Sequence, residues 1–109
     1  MKNYGKKAWL IPDGFLSSKS TGQISHESVC VLNTSSSDAH INLTLFFEDR
    51  DPQGNFKAVC PSNRTNHIRM DKLKNEAGEP VPLDVPYAIL AESDVEIVAQ
   101  YSRLDTSQP

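Results

Sequence analysis

The 109 residues of this chain suffice for one domain with one core, and 38% apolar with 23% charged residues is the balance of a folded globular chain, not a disordered one. A net charge of −3 disfavours phosphate backbones and anionic lipid as partners of the molecule as a whole. Apolar runs such as Ala8 to Pro12 and Ile97 to Ala99 fall far short of the roughly 20 residues that span a bilayer, which excludes a membrane-spanning helix.

In chain order, Met1 to Lys7 is basic. The apolar run that follows is too short for a signal peptide and meets Pro12-Asp13-Gly14, so export is not expected and a cytoplasmic location is. Cys30 and Cys60 are then expected as reduced thiols that pack as small apolar groups, Cys30 in the core. The Asn-x-Ser/Thr triplets at Asn33, Asn42 and Asn63 carry no glycosylation meaning without export.

Apolar residues alternate, with no recurrence at three and four. Ala39, Ile41, Leu43, Leu45 and Phe47 share one face of an extended segment, opposed by His40, Asn42, Thr44 and Phe46. Val95, Ile97, Ala99 and Tyr101 repeat the pattern, with Val98 the apolar exception on the other face. Five more strands are expected at Ala8 to Ile11, Ile24 to Asn33, Phe56 to Cys60, Thr65 to Met70 and Tyr87 to Glu92.

Turns are expected at Asp13-Gly14, Ser17 to Gly22, Asn33 to Asp38, Asp51 to Gly54, Pro61 to Asn63 and Glu92 to Asp94. Asp71 to Lys74 suggests one helical turn, and Asn75 to Pro86 an irregular loop. Seven short strands without an internal repeat predict a single all-β domain over 1–109, an antiparallel β-sandwich of jelly-roll type.

The informative polar residues fall on three of these strands: His26 and Glu27; Arg64, His67 and Arg69; and Gln100, Arg103 and Asp105. His26 and Glu27 are adjacent, so an extended backbone points them to opposite faces, whereas His67 shares a face with Thr65 and Arg69. Two readings stay open. Planar guanidinium–carboxylate pairs would close the end of a sandwich or a subunit contact, with Glu27, Arg64, His67, Arg69, Arg103 and Asp105 in one charged network. Alternatively the same groups form a polar pocket for a sugar or small acid, walled by Trp9, Tyr87 and Tyr101.

Trp9, the only tryptophan, is otherwise a core anchor beside Phe15, Phe46, Phe47 and Phe56. His26, His40 and His67 stand on separate segments without the spacing of a metal site, so no metal or other cofactor is expected. No nucleophile elbow or glycine-rich phosphate cradle occurs, and His26 lies about 13 Å along the strand from Cys30, too far for proton transfer. The chain reads as a binding module, not an enzyme.

From Ile24 to Asn33 the chain resembles the sensory rhodopsin transducer family, in which a nearly identical strand follows a Trp-x-x-x-x-Gly opening, here Trp9 to Gly14. The likeness continues through Asp38 to Ile41, Leu43 to Asp49 with Pro52, Arg64 to Arg69 and Ile97 to Asp105, and so covers nearly the whole chain. The resemblance implies a jelly-roll-like sandwich assembled as a homotetramer. It also implies a soluble adaptor that meets the cytoplasmic face of a sensory rhodopsin and passes on a light signal. The family fold is similar to carbohydrate-binding modules, which leaves a small-molecule or sugar ligand as the alternative.

Overall fold

A computed structural model describes residues 4–18 and 26–104. Among the described residues there are six strands and no helix: β1 (Lys6–Phe15), β2 (His26–Asn33), β3 (Ala39–Phe47), β4 (Gln53–Cys60), β5 (Arg64–Arg69) and β6 (Pro86–Leu104). All pairings are antiparallel, in the order β4-β3-β6-β2-β5, with β1 added to β6. The ends of that path, β4 and β5, come back into contact, so the sheet curls into two facing halves.

The expected fold class holds, with one strand fewer. The two strands anticipated at Tyr87–Glu92 and Val95–Tyr101 are one strand of 19 residues, and Glu92 to Asp94 is no turn. Its first part pairs with β3 (Phe47↔Tyr87 through Ile41↔Ser93) and β1 (Phe15↔Pro86 through Ala8↔Glu92, then Lys6↔Ile97 after a register shift), its second part with β2 (Leu32↔Val98 through His26↔Leu104). Side chains satisfy the backbone where partners change: the Ser93 hydroxyl accepts the Val95 N–H at 3.2 Å, and the Asp94 carboxylate accepts the His40 N–H at 2.9 Å. Those polar residues look like turn formers in the sequence because their side chains bond locally to backbone, and here they do so without reversing the chain.

Strand β1 likewise runs through the expected Asp13-Gly14 turn, absorbing Pro12 and Asp13 as a register shift between Ile11 and Gly14. Strand β4 starts three residues early, at Gln53, opposite a register shift between Leu43 and Leu45, with Asn55 at φ 63°. Asp71 to Lys74 forms no helix: Lys72 N–H closes a turn on the Arg69 carbonyl at 3.2 Å. The irregular loop that follows folds on Asn75, whose Oδ1 accepts the Ala77 and Glu79 N–H groups at 3.1 and 2.9 Å. Asp84 then accepts the Ser18 N–H and hydroxyl at 3.0 and 2.6 Å, pinning that loop to the end of β1.

The core lies between the two halves. The alternating set Ala39, Ile41, Leu43 and Leu45 is fully buried against Val29, Val31, Phe56, Ile89 and Ile97. Trp9 packs at the edge of this cluster, its indole N–H shared between the Ile97 carbonyl at 2.9 Å and the Lys6 carbonyl at 3.1 Å. Phe46, expected inside, is 40% exposed, because its even position on β3 puts it on the outer face. Cys30 is a second correction: Val29 and Val31 take the buried face of β2, so Cys30 sits half-buried on the opposite one, while Cys60 is the core thiol. Burial pushes the Cys60 thiol above the ordinary thiol range.

Asn33 is the one fully buried amide among the described residues, at the end of β2. Its Nδ2 donates to the carbonyls of Ser37 at 2.8 Å and Cys60 at 2.9 Å, and its Oδ1 accepts the Ser35 N–H and hydroxyl at 3.0 and 2.8 Å. This side chain therefore fixes the 34–38 turn against β4. Asn33→Ala takes the side-chain donor from the buried Cys60 carbonyl and the acceptor from the Ser35 N–H, and should cost about 3 kcal/mol in urea unfolding; a loss under about 1 kcal/mol would contradict this role.

Candidate functional site

The cluster around Glu27 is the most concentrated polar chemistry in the fold. Alternation puts Glu27 on the inner face of β2 with Val29 and Val31, and its carboxylate is almost fully buried. Oε1 accepts the Phe15 N–H at 2.9 Å, the Tyr87 hydroxyl at 3.3 Å and the Tyr101 hydroxyl. Oε2 accepts Arg103 Nε at 2.8 Å. The two tyrosine hydroxyls also touch, at 2.9 Å. A buried carboxylate is costly unless it is hydrogen-bonded, and four donors from β1 and both ends of β6, three on Oε1 and one on Oε2, hydrogen-bond this one.

Register assembles the cluster. Glu27 stands directly opposite Arg103 in the β2–β6 ladder, and Tyr101 lies two residues earlier on the same face. Gly14 stands opposite Tyr87, and a Cβ there would run into the Tyr87 ring and lie 2.9 Å from the Tyr101 hydroxyl, so only glycine leaves room for the paired rings. Burial, chiefly, and then the Glu27 charge and hydrogen bond push the Tyr87 hydroxyl far above the ordinary phenol range, with Arg103 opposing. Tyr87 is therefore a hydrogen-bond donor at any physiological pH.

Arg64, His67, Arg69 and Gln100 stand apart from this cluster. Arg69 makes a two-pronged pair with Asp71, 2.7 Å at each contact, and Arg64 is exposed at the start of β5, donating to the Asn63 carbonyl at 3.0 Å. His67 and Gln100 flank Cys30 on one rung of the outer face, exposed, on the side of the sheet away from Glu27. His26 pairs with Leu104 in the ladder, and Asp105 lies outside the described residues. Among the described residues, the contacts of the expected six-residue network that form are those of Glu27 with Arg103: Asp71 is the nearer partner for Arg69, and the pleat turns His67 outward. Gly14 and the Phe15 N–H were not anticipated; Gly14 read as turn punctuation.

Two hollows lie at the end of the sandwich reached by the β3–β4 turn. One, about 500 Å³, is lined by Arg50, Asp51, Gln53, Asn55, Asn75 and Glu79, with Phe47 on its wall. The other, about 360 Å³, lies where β1, β3 and β6 run side by side, between Pro12 and Asp13 on one flank and Phe46, Phe47 and Glu48 on the other. Among the described residues no group of three or more His, Cys, Asp or Glu side chains is placed to hold a metal ion, and no helix is long and apolar enough to cross a membrane.

The protein is of the antiparallel β-sandwich class, with a buried carboxylate of β2 met by two tyrosines and an arginine of β6. The model of the Anabaena sensory rhodopsin transducer family matches residues 4–109, and the chain belongs to that family. Among solved structures it is similar to the Anabaena sensory rhodopsin transducer, at 33% identity and TM-score 0.83, covering 93% of this chain and 100% of that one. It is also similar to a Thermotoga maritima protein designated 1070, at 37% identity and TM-score 0.84, covering 95% of this chain and 84% of that one. No curated protein matches significantly.

Removing the acceptor should hurt more than removing one donor. Glu27→Ala strands two hydroxyls, an N–H and a guanidinium and should cost about 3–5 kcal/mol. Arg103→Ala, whose side chain is 45% exposed, should cost about 1–2 kcal/mol once solvent screening is allowed for. Urea titration of both variants checks the order, and equal losses would contradict it.

The raised Tyr87 value has a definite sign: its stabilisation is complete below the unfolded phenol value of about 10 and is lost as pH rises above it. Stability should fall from about pH 10 upward, and Tyr87→Phe should flatten that fall. An unchanged alkaline slope in the variant would refute the assignment to Tyr87.

Proposed function

We propose that this protein is a signalling adaptor that binds a membrane photoreceptor of the sensory rhodopsin type from the cytoplasm and works as a homotetramer, without a catalytic step. Family membership over residues 4–109 carries the reading, together with a relative that is named for transducing from a sensory rhodopsin. The fold is consistent with this role. Charge buried in the interior is consumed by the Glu27 cluster, which leaves outer faces and the strand-end hollows as the surfaces for recognition. Large exposed apolar side chains, Leu10 and Phe46 on one outer face and Leu32 and Val98 on the other, suit a protein that meets other chains.

A second reading has its own observation. The hollow of about 500 Å³, walled by amides, carboxylates, Arg50 and Phe47, has the size and mixed chemistry of a small-molecule site and would suit a sugar or small acid.

A sensory rhodopsin from the organism that carries this chain, held in lipid nanodiscs, should retain the protein in co-sedimentation, and sedimentation of the protein alone should give a mass near four chains. A 12.1 kDa species at micromolar concentration would remove the tetramer, and the absence of any complex at a saturating rhodopsin concentration would remove the adaptor reading. A panel of monosaccharides and small carboxylic acids tests the second reading: a ligand at a hundredfold excess over its Kd should stabilise the fold by about 2.7 kcal/mol. No thermal shift with any member would overturn it.

A further inference from the structure

We propose that the groove at the β1 bulge docks an Arg- or Lys-bearing segment of the partner protein, an inference that rests on the photoreceptor-adaptor reading above. The groove, about 360 Å³, spans three neighbouring strands on an outer face. Its floor is the start of β6, where Ala88 pairs with Phe46 and Tyr87 with Phe47. Its flanks come from opposite sides: the β1 register shift between Ile11 and Gly14 brings Pro12 and Asp13 to one, and the end of β3 with Glu48 forms the other. Bulges of this kind commonly re-aim a side chain beside a functional surface.

The chemistry of the lining selects the occupant. Asp13 and Glu48 are the charged residues of the lining, both exposed, and neither has an ion-pair or hydrogen-bond partner among the described residues. Arg50, the nearest cation in sequence, is engaged elsewhere: it pairs with Asp49 at 2.9 and 3.1 Å and stacks on the Phe47 ring, 5.4 Å from its centre. That stack shows this ring accepting a guanidinium. Phe46, 40% exposed, offers a second aromatic surface without such a partner. Two carboxylates on facing flanks, with aromatic rings beside one of them, suit a cation carried on an apolar stem, as Arg and Lys provide.

The apolar surface continues along the same face. Leu10, 76% exposed, stands beside Leu90 in the β1–β6 ladder, which gives neighbouring apolar side chains of an extended segment somewhere to lie. Cytoplasmic loops and juxtamembrane segments of membrane proteins carry an excess of Lys and Arg, so the partner class proposed above presents the matching charge.

Fluorescence anisotropy on the whole protein tests this with a fluorescein-labelled dodecapeptide of repeated Arg-Leu-Ser units and a matched Glu-Leu-Ser peptide. The basic peptide should bind, the acidic one should not, and affinity should fall with added salt. The double variant Asp13→Asn/Glu48→Gln should weaken binding at least tenfold. Glu76→Gln/Glu96→Gln, which removes the same charge away from the groove and its apolar extension, should change it less than twofold, and Phe46→Ala should weaken it about tenfold. All variants should melt within about 2 °C of the parent; for any that does not, amide shifts of the parent protein at Asp13, Phe46 and Ala88 on adding peptide take its place. Equal weakening by both double variants, no binding by the parent, or amide shifts elsewhere would overturn the groove. Rhodopsin nanodiscs separate the two claims: capture of parent and Asp13→Asn/Glu48→Gln alike overturns the groove and leaves the adaptor reading standing, whereas groove-dependent peptide binding without rhodopsin capture does the reverse.

Discussion

One strand carries the mechanical continuity of this fold. β6 is the only strand described that pairs in both halves: β1 and β3 flank its first part and β2 its second. Elsewhere in the sandwich the two halves meet through side chains, whose dispersion and hydrophobic attraction have no direction. The hydrogen-bonded ladder along β6 supplies direction, fixing which rungs of one half lie over which rungs of the other. The partner exchange near Ser93 and Asp94 is therefore the point of greatest constraint, and polar side chains there hold the backbone groups that lose a strand neighbour.

The Glu27 cluster follows from that continuity. A carboxylate on the buried face of β2 needs donors, and β6 delivers three from its two ends, Tyr87 from the first half and Tyr101 and Arg103 from the second. β1 adds the Phe15 N–H from a third direction. The cluster thus ties β1, β2 and both parts of β6 at one place. Apolar packing would tolerate a slip of register at some cost in contacts. A slip of one residue would move Glu27 to the outer face and leave the hydroxyls facing each other alone, so the polar cluster makes register close to all-or-none.

Much of this was legible in the sequence where period two is strong. Ala39 to Phe47 and Val95 to Tyr101 announce strands because their apolar residues alternate, and the same alternation separates His26 from Glu27. The joining of two strands into β6 was hidden because Glu92-Ser93-Asp94 has turn composition; whether such residues reverse a chain or bridge a change of partner depends on the flanking ladders. Cys30 was misplaced by its residue type, although the Val29 and Val31 on either side already assign it to the outer face. Gly14 was illegible for a different reason: its function is to be absent from the space two tyrosines fill, and those tyrosines are 73 and 87 residues further along the chain. Arg69 was assigned to the wrong network because guanidinium partners are decided by proximity, and Asp71, two residues away, wins without loop closure.

The division, among the described residues, between carboxylates with partners in the chain and carboxylates without them separates folding from recognition on so small a scaffold. Carboxylates that are met by groups of the same chain, Glu27 in the interior and Asp71 and Asp94 nearer the surface, hold strands, turns and register. Asp13 and Glu48 stand at positions where the strand pattern breaks, one in a bulge and one past a strand end, and there the backbone makes no demand on the side chain. A carboxylate at such a place can be exchanged for an amide at little cost to folding, whereas at Glu27 the same change replaces an acceptor that four donors share. Stability and binding are thereby assigned to different carboxylates, and a partner can engage the outer pair without competing for the interactions that keep β6 in register.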